Sequence, residues 1–229
     1  MEFQDWGLID YEEALKRQEA LVEETAAKKS AGTLVFCTHP PVVTLGRKTQ
    51  EGDVFGWQGP IVEISRGGRA TYHGPSQLLV YPIFNLDFER PGLPKRDIAW
   101  YLRSFENSIV ETLGAFGVEA QGRSLQKKSP GETAEDATGV WVDHRKIASL
   151  GIGVRKWICF HGAAINLDRD PRAFQGMRPC GFNRDTMVSL EELTHQQIDR
   201  KRFSQNLRGK LEQRFAPAFL EPLSASAKL

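Results

Sequence analysis

Cysteine is scarce in this 229-residue chain. Its three cysteines are an odd number at unrelated spacings, which points away from a disulfide framework and from a Cys-x-x-Cys metal site. The five histidines are scattered, without the paired spacing of zinc ligands. A long apolar run is also missing, so nothing approaches the length of a membrane span. Met1-Glu2-Phe3-Gln4-Asp5-Trp6 has neither the basic start nor the apolar core of a secretory signal, and the expectation is a cytosolic protein with reduced thiols. Excess charge is absent too: 30 Lys+Arg against 29 Asp+Glu leave +1, which gives no global field to gather nucleic acid. Phosphate-binding signatures are lacking. No Gly-x-x-x-x-Gly-Lys-Ser/Thr occurs, and Gly151-Ile152-Gly153-Val154-Arg155-Lys156 stops short of the third glycine of a dinucleotide fingerprint.

What is present is ordinary globular material, 40% hydrophobic and 26% charged, long enough for one large core and undivided by any linker-like stretch. Asp10 with Glu13 three positions on makes a helix start, and Tyr11, Leu15, Gln18, Leu21, Val22 and Thr25 follow at helical spacing to about Lys29. A second helix is expected from Asp97, carrying Ile98, Tyr101, Leu102, Phe105, Ile109 and Leu113 on one face before Gly114 and Gly117. Phe203, Leu207, Leu211 and Phe215 mark a third. Between them lie β-type runs at 34–37, 41–45, 61–65, 78–86, 140–142, 147–154 and 157–167. Strands outnumber helices and do not alternate with them regularly. That order predicts a single α+β domain with a mixed or antiparallel sheet, its helices on one face, rather than a doubly wound parallel fold. Residues 1–216 form that domain in this reading. The polar stretch 122–138 is expected to be a surface loop or hairpin, and 217–229 a flexible tail.

Four segments bear on chemistry. Cys37 and Cys159 sit inside apolar β-type runs, where cysteine behaves as a small hydrophobe. Cys180 stands instead in Pro179-Cys180-Gly181-Phe182, a turn that can present a thiol to a cleft; read alone, it equally fits a residue filling space beneath a loop. Lys146 opens a run in which Ile147, Leu150 and Ile152 are apolar, so its stem can be held against a sheet. A lysine so placed can stabilise a thiolate as ammonium or take a proton as amine, while on spacing alone it also fits a surface strand lysine beside Arg145. Arg66-Gly67-Gly68-Arg69-Ala70-Thr71-Tyr72-His73-Gly74-Pro75 follows a strand and suits close backbone approach to an oxygen, or else forms a plain turn. In His161-Gly162-Ala163-Ala164 the small residues leave room for an apolar chain, and His161 is given no catalytic role.

Together these segments resemble the octanoyltransferases of lipoate biosynthesis. The resemblance rests on Arg66 to Gln77, Gly139-Val140-Trp141-Val142, Lys146-Ile147-Ala148-Ser149-Leu150-Gly151, Phe160-His161-Gly162-Ala163-Ala164-Ile165-Asn166-Leu167 and Pro179-Cys180-Gly181, in order over most of the chain. It implies a fold similar to the catalytic domain of biotin and lipoate protein ligases. It also implies a cysteine/lysine acyltransferase that moves an octanoyl group from octanoyl-acyl carrier protein to a lysine of a lipoyl domain, in 2-oxo acid dehydrogenases or the glycine cleavage H protein. Cys180 would carry the acyl thioester and Lys146 would assist. The acyl-binding positions would be Arg66, Gly67, Gly68, Arg69, Ala70, Thr71, Tyr72 and His73, then Ser149, Leu150 and Gly151, then Gly162, Ala163 and Ala164. No metal or other cofactor is implied, and neither nucleic acid nor membrane is an expected partner. Gly74-Pro75-Ser76-Gln77 departs from the family's usual Gly-Pro-Gly-Gln, which requires a backbone angle that serine tolerates.

On that resemblance, backbone N–H groups around Gly74 and Ser149 to Gly151 are candidate oxyanion donors. Arg47, Lys48, Arg66, Arg69, Arg145, Arg155 and Lys156 are candidates for docking acidic partner domains. Two rival readings stand beside it. An ATP-dependent lipoate or octanoate ligase on the same scaffold would need no nucleophilic cysteine, and a non-catalytic module could bind acylated proteins.

Overall fold

The structure, a computed structural model, describes residues 1–124 and 137–215. Ten strands and four helices follow one another in it: β1 (Glu2–Leu8), α1 (Tyr11–Lys28), β2 (Gly32–Thr38), β3 (Val42–Leu45), β4 (Ile61–Glu63), β5 (Thr71–His73), β6 (Gln77–Asn85), α2 (Ile98–Gly114), β7 (Gln121–Gly122), β8 (Gly139–Val142), β9 (Arg145–Arg155), β10 (Ile158–Asn166), α3 (Leu190–Thr194) and α4 (Arg200–Phe215). Single 3₁₀ turns occupy Pro179–Gly181 and Arg184–Thr186. A seven-stranded sheet runs β1-β2-β6-β10-β9-β8-β7, and a three-stranded one runs β4-β3-β5. β1 and β2 are parallel, as are β3 and β4, and the remaining pairs are antiparallel. The α+β fold with a mixed sheet is therefore as expected.

The helices, however, cover both faces of the large sheet rather than one. Successive side chains of a strand point to opposite faces, and every residue of β6 is buried, so both faces must be covered. Leu78, Val80 and Phe84 pack with Tyr101, Phe105 and Ile109 of α2 and with Phe203, Leu207, Leu211 and Phe215 of α4. Leu79, Tyr81 and Ile83 pack instead with Ala14 and Val22 of α1. Side chains of this size each stabilise the fold by roughly 1.5–3 kcal/mol when fully buried.

The helix starts follow the sequence. Asp10 accepts hydrogen bonds from Glu12 N at 2.9 Å and Glu13 N at 3.3 Å, and Asp97 from Trp100 N at 2.8 Å. β1, β5, β7 and α3 are the elements that periodicity does not reveal. β1 is a largely exposed edge, β5 and β7 are only three and two residues long, and α3 is a five-residue turn fixed by a Ser189–Glu192 capping box. The expected loop 122–138 falls mostly on 125–136, and the expected tail on 217–229; both lie outside the described residues. Among the described residues no helix is long and apolar enough to cross a membrane.

Candidate active site

Strands β9 and β10 bring together two of the segments singled out in the sequence. Their antiparallel register sets Ser149 opposite Ala164, Leu150 opposite Ala163 and Gly151 opposite Gly162. The small side chains of these paired rows leave a hollow in the sheet surface. Glycine is needed at both positions for close packing, because a methyl group on Gly151 would sit 3.0 Å from Arg66 Cδ and one on Gly162 would strike the Val80 carbonyl. The β10–β6 ladder is interrupted beside the hollow, where Phe160 to Gly162 run past Pro82. Proline has no N–H to give to the ladder, and His161 takes a φ of 58° there.

The resulting cleft is narrow, with a cavity volume of about 30 Å³. Arg66, Thr71, His73, Ser149, Leu150, Gly151, Gly162, Ala163, Ala164 and Cys180 line it, joined by Tyr11, Leu79, Tyr81 and His161. The other candidates of the Arg66 to His73 segment stand behind it. Gly67 N–H donates to Ile152 O at 3.2 Å, so that amide is committed to structure rather than to a ligand. Gly68 takes a φ of 83°, and its carbonyl receives Lys48 N–H at 3.1 Å. Arg69 pairs with the buried Asp53. Tyr72 turns away to pack on Phe174 and Trp57.

Ala70 has a different use. Its carbonyl accepts Cys180 N–H at 2.8 Å, which moors the Pro179–Gly181 turn to the front of β5. Cys180 itself is 8% exposed and holds a left-handed φ of 53°, a conformation uncommon outside glycine and costing of order 1 kcal/mol or more. Next to it Gly181, at φ 82°, admits the Arg69 guanidinium where a side chain would collide.

Lys146 lies on β9, upstream of Ser149, and is 1% exposed. Its Nζ stands 5.4 Å from the Trp141 ring centre and 5.7 Å from that of Phe182, the residue after the Cys180 turn. Further along, Met187 bridges to Lys146, and Val188 N–H donates to the Lys146 carbonyl at 3.1 Å. The segment 180–188 thus carries the thiol at one end and is pinned to the lysine's strand at the other.

The cleft walls are polar groups forced out of water. Arg66 is buried, donates through Nη2 to Thr44 O at 3.2 Å and Thr44 Oγ1 at 3.0 Å, and through Nη1 to Gly67 O at 3.0 Å. Burial lowers its pKa and the neighbouring Cys180 sulfur opposes that shift. His161 is pushed down to about 3, by burial first and then by Arg66, Arg155 and Arg47, so it is a neutral imidazole. Burial likewise holds His73 well below its usual range and raises Tyr11 and Tyr81. Tyr11 stacks on His73 with ring centres 5.4 Å apart.

Four cleft residues had no assigned place in the sequence. Tyr11 reads there only as an apolar helix position, and Leu79 and Tyr81 only as strand residues. His161 did carry a signal, since it stands inside the Phe160-His161-Gly162 motif. Of the candidate oxyanion donors, Ser149 to Gly151 line the cleft, whereas the Gly74 carbonyl accepts Gln77 N–H at 3.1 Å in a tight turn away from it. Ser76 has no positive φ, so the serine fits that turn. The docking candidates are redistributed: Arg66 is buried, Arg69 is held by Asp53, and Arg155 and Lys156 pair with Glu19 and Glu23 of α1.

A cleft lined by a buried thiol and by the paired rows of β9 and β10, with the buried Lys146 on β9, sits here in an α+β domain built on a mixed sheet. The family model described as the lipoyl protein ligase A/B catalytic domain matches residues 10–212, and the chain belongs to that family. Within it, the chain is 58% identical to the octanoyltransferase of Bdellovibrio bacteriovorus over 91% of its own length and 96% of that protein's. Among solved structures it resembles lipoate-protein ligase A bound with ATP, with a TM-score of 0.68 and 16% identity, over 93% of this chain and 85% of that one. It also resembles the bipartite lipoate protein ligase of Thermoplasma acidophilum, studied with its E2 lipoyl domain, with a TM-score of 0.63 and 15% identity, over 93% and 82% of the two chains. At these identities the structural likenesses speak to the fold.

Proposed function

We propose that this chain, an octanoyltransferase, takes its acyl group from octanoyl-acyl carrier protein, holds it as a thioester on Cys180, and delivers it to a lysine of a lipoyl domain. The observation that carries the reading is the position of Cys180: a buried thiol, moored by Ala70, opening on a cleft whose floor is the paired rows Ser149–Gly151 and Gly162–Ala164.

In the first half, the Cys180 sulfur attacks the donor's thioester carbonyl, a new C–S bond forms, and the carrier's thiol leaves with a proton. Exchange of one thioester for another is nearly balanced. In the second half, the acceptor amine attacks the acyl-Cys180 carbonyl, the amide forms, the C–S bond breaks, and the amine's surplus proton passes to Lys146 or the departing sulfur. Splitting the transfer this way replaces one encounter between two large proteins with two separate ones. Of Ser149 to Gly151, a backbone N–H that the β8 and β10 ladders leave unused would face the oxyanion in each half. Arg66 supplies a fixed positive charge beside the sulfur. Residues 1–216 are the catalytic unit in this reading, and the cytoplasm suits its reduced thiols.

Incubation of the purified protein with octanoyl-acyl carrier protein, without ATP or magnesium, is expected to give an octanoyl adduct on Cys180 by intact mass. Cys180→Ala is expected to abolish turnover while still binding the donor, and Lys146→Ala to reduce turnover by at least about a hundredfold with the fold retained. Activity seen only with ATP and free acid would mean a ligase instead.

A further inference from the structure

The loop after β3 buries one carboxylate. Glu51 and Gly52 before Asp53, and Phe55 and Gly56 after it, are exposed, while Asp53 itself is out of reach of solvent. An acid is seldom buried so completely unless it is paired. Its partner is Arg69, whose Nε donates to Asp53 Oδ2 at 3.0 Å and whose Nη2 donates to Oδ1. Oδ2 also accepts Gln50 N–H at 2.9 Å, which closes the loop on the carboxylate. A two-pronged contact fixes the plane of the guanidinium as well as its place. That group lies against Gly181, where an added β-carbon would collide with Arg69 Nη1 and Cζ. The main chain of Asp53 reaches the same turn from its other end. Asp53 O accepts Arg178 N–H at 2.8 Å, Val54 bridges to Met177, and Phe55 and Gly56 N–H both donate to Gly176 O, at 2.9 and 3.0 Å. Cys180 stands between these attachments, with its own N–H on the carbonyl of Ala70, the residue after Arg69. Its φ of 53° is a strained conformation that lasts only where the surroundings over-determine it. The holds at Arg178, Cys180 and Gly181 meet that requirement, and the first and last of them run through Asp53.

We infer that Asp53 is a positioning residue for acyl transfer: through Arg69 it backs Gly181, through its carbonyl it holds Arg178, and between them it keeps the Cys180 sulfur in line with the incoming thioester. The inference rests on the reading of Cys180 as the acyl carrier. Arg69 then serves the reaction from behind the turn rather than by holding the acyl chain, and neither residue touches the reacting atoms. A nucleophile displaced by about 1 Å loses about a hundredfold in rate, although the donor still docks.

Single-turnover mass spectrometry on the full chain, well below the unfolding temperature, tests this. Asp53→Asn keeps the shape but sets an amide N–H against a donor, and Arg69→Met keeps the stem but removes the guanidinium. In each, the maximal rate of octanoyl uptake from octanoyl-acyl carrier protein should fall about 10- to 100-fold, with the half-saturating donor concentration within about 2-fold of wild type. The double variant should lose no more than the worse single one, because the two side chains act as a unit. It leaves no carboxylate alone in the interior, so it stands in for Arg69→Met should that variant not fold. A wild-type rate in a folded variant, a loss carried wholly by the half-saturating concentration, or losses that multiply in the double variant would overturn the inference. Failure of the wild type to take the acyl group on Cys180 sinks the carrier reading and this inference with it. Uptake on Cys180 in the wild type with an unaltered rate in Asp53→Asn sinks the inference alone.

Discussion

Glycine and cysteine set the chemistry of the cleft one residue at a time. Gly151 has no positive φ, so it is required for space rather than for backbone freedom. Gly151→Ala should fold, because its methyl would meet Arg66 Cδ at 3.0 Å and the Gly67 carbonyl oxygen at 3.3 Å, which a shift of a few tenths of an ångström relieves. It should slow octanoylation of Cys180 by at least about tenfold by filling the hollow. Single-turnover mass spectrometry checks this, and an unchanged uptake rate would remove Gly151 from the acyl site. The family resemblance marks Gly151 in the sequence. It does not mark Arg66 as the partner, because Arg66 lies far upstream in the chain and meets Gly151 only through tertiary packing.

Helix α1 shows how an element can serve the site while reading as plain scaffold. Of its buried positions, Tyr11, Gln18, Val22 and Thr25 are legible from helical spacing, whereas Ala14 is not, and Leu15 and Leu21 of the expected stripe are half-buried. That spacing leaves open what the stripe covers. Two of these residues turn out to reach the site: Tyr11 lines the cleft, and Gln18 Oε1 accepts His161 N–H at 2.9 Å, holding β10 where its ladder to β6 is interrupted. Loss of the cap in Asp10→Ala is expected to destabilise the protein by about 1 kcal/mol, measured by urea denaturation. Because Tyr11 is the first residue of the helix, kcat should fall with it at temperatures well below unfolding. Full activity in Asp10→Ala would show that the start of α1 does not position Tyr11. β9 and β10 make the complementary case. Each is readable as a strand from its residues, but the alignment of 149–151 with 162–164 depends on register, which a sequence of small residues specifies weakly.

Across the whole molecule, burial of titratable groups ties stability to pH. His39, His73 and His161 all have pKa values lowered below 6.5, with burial the largest cause in each. A base whose folded pKa is depressed adds stability that is fully present above its unfolded pKa and is lost as pH falls below it. The protein should therefore weaken as pH drops from 6.5 toward about 3, the value for His161. Glu106, whose pKa burial raises from 4.5, works in the opposite sense, one group against three. Urea midpoints at about pH 7.5 and about pH 5 should differ, with the acid value lower, and His161→Gln should narrow the gap. Equal midpoints in the wild type would mean these rings already find partners that hold their protons.

Read without coordinates, the chain already declares the class of fold, the helix starts at Asp10 and Asp97, and the motifs that identify the family. Those features depend on local chemistry: hydrophobic period, capping side chains, and residue types at fixed spacing. Only the tertiary structure decided that helices cover both sheet faces, that Gly67 N–H and Arg69 are committed to structure, and that Tyr11 and His161 belong to the cleft. It also decided that Phe182 and Val188 tie the Cys180 turn to Lys146. Each of those is a contact between segments far apart in the chain, and its geometry is set by strand register and buried hydrogen bonds rather than by any local pattern.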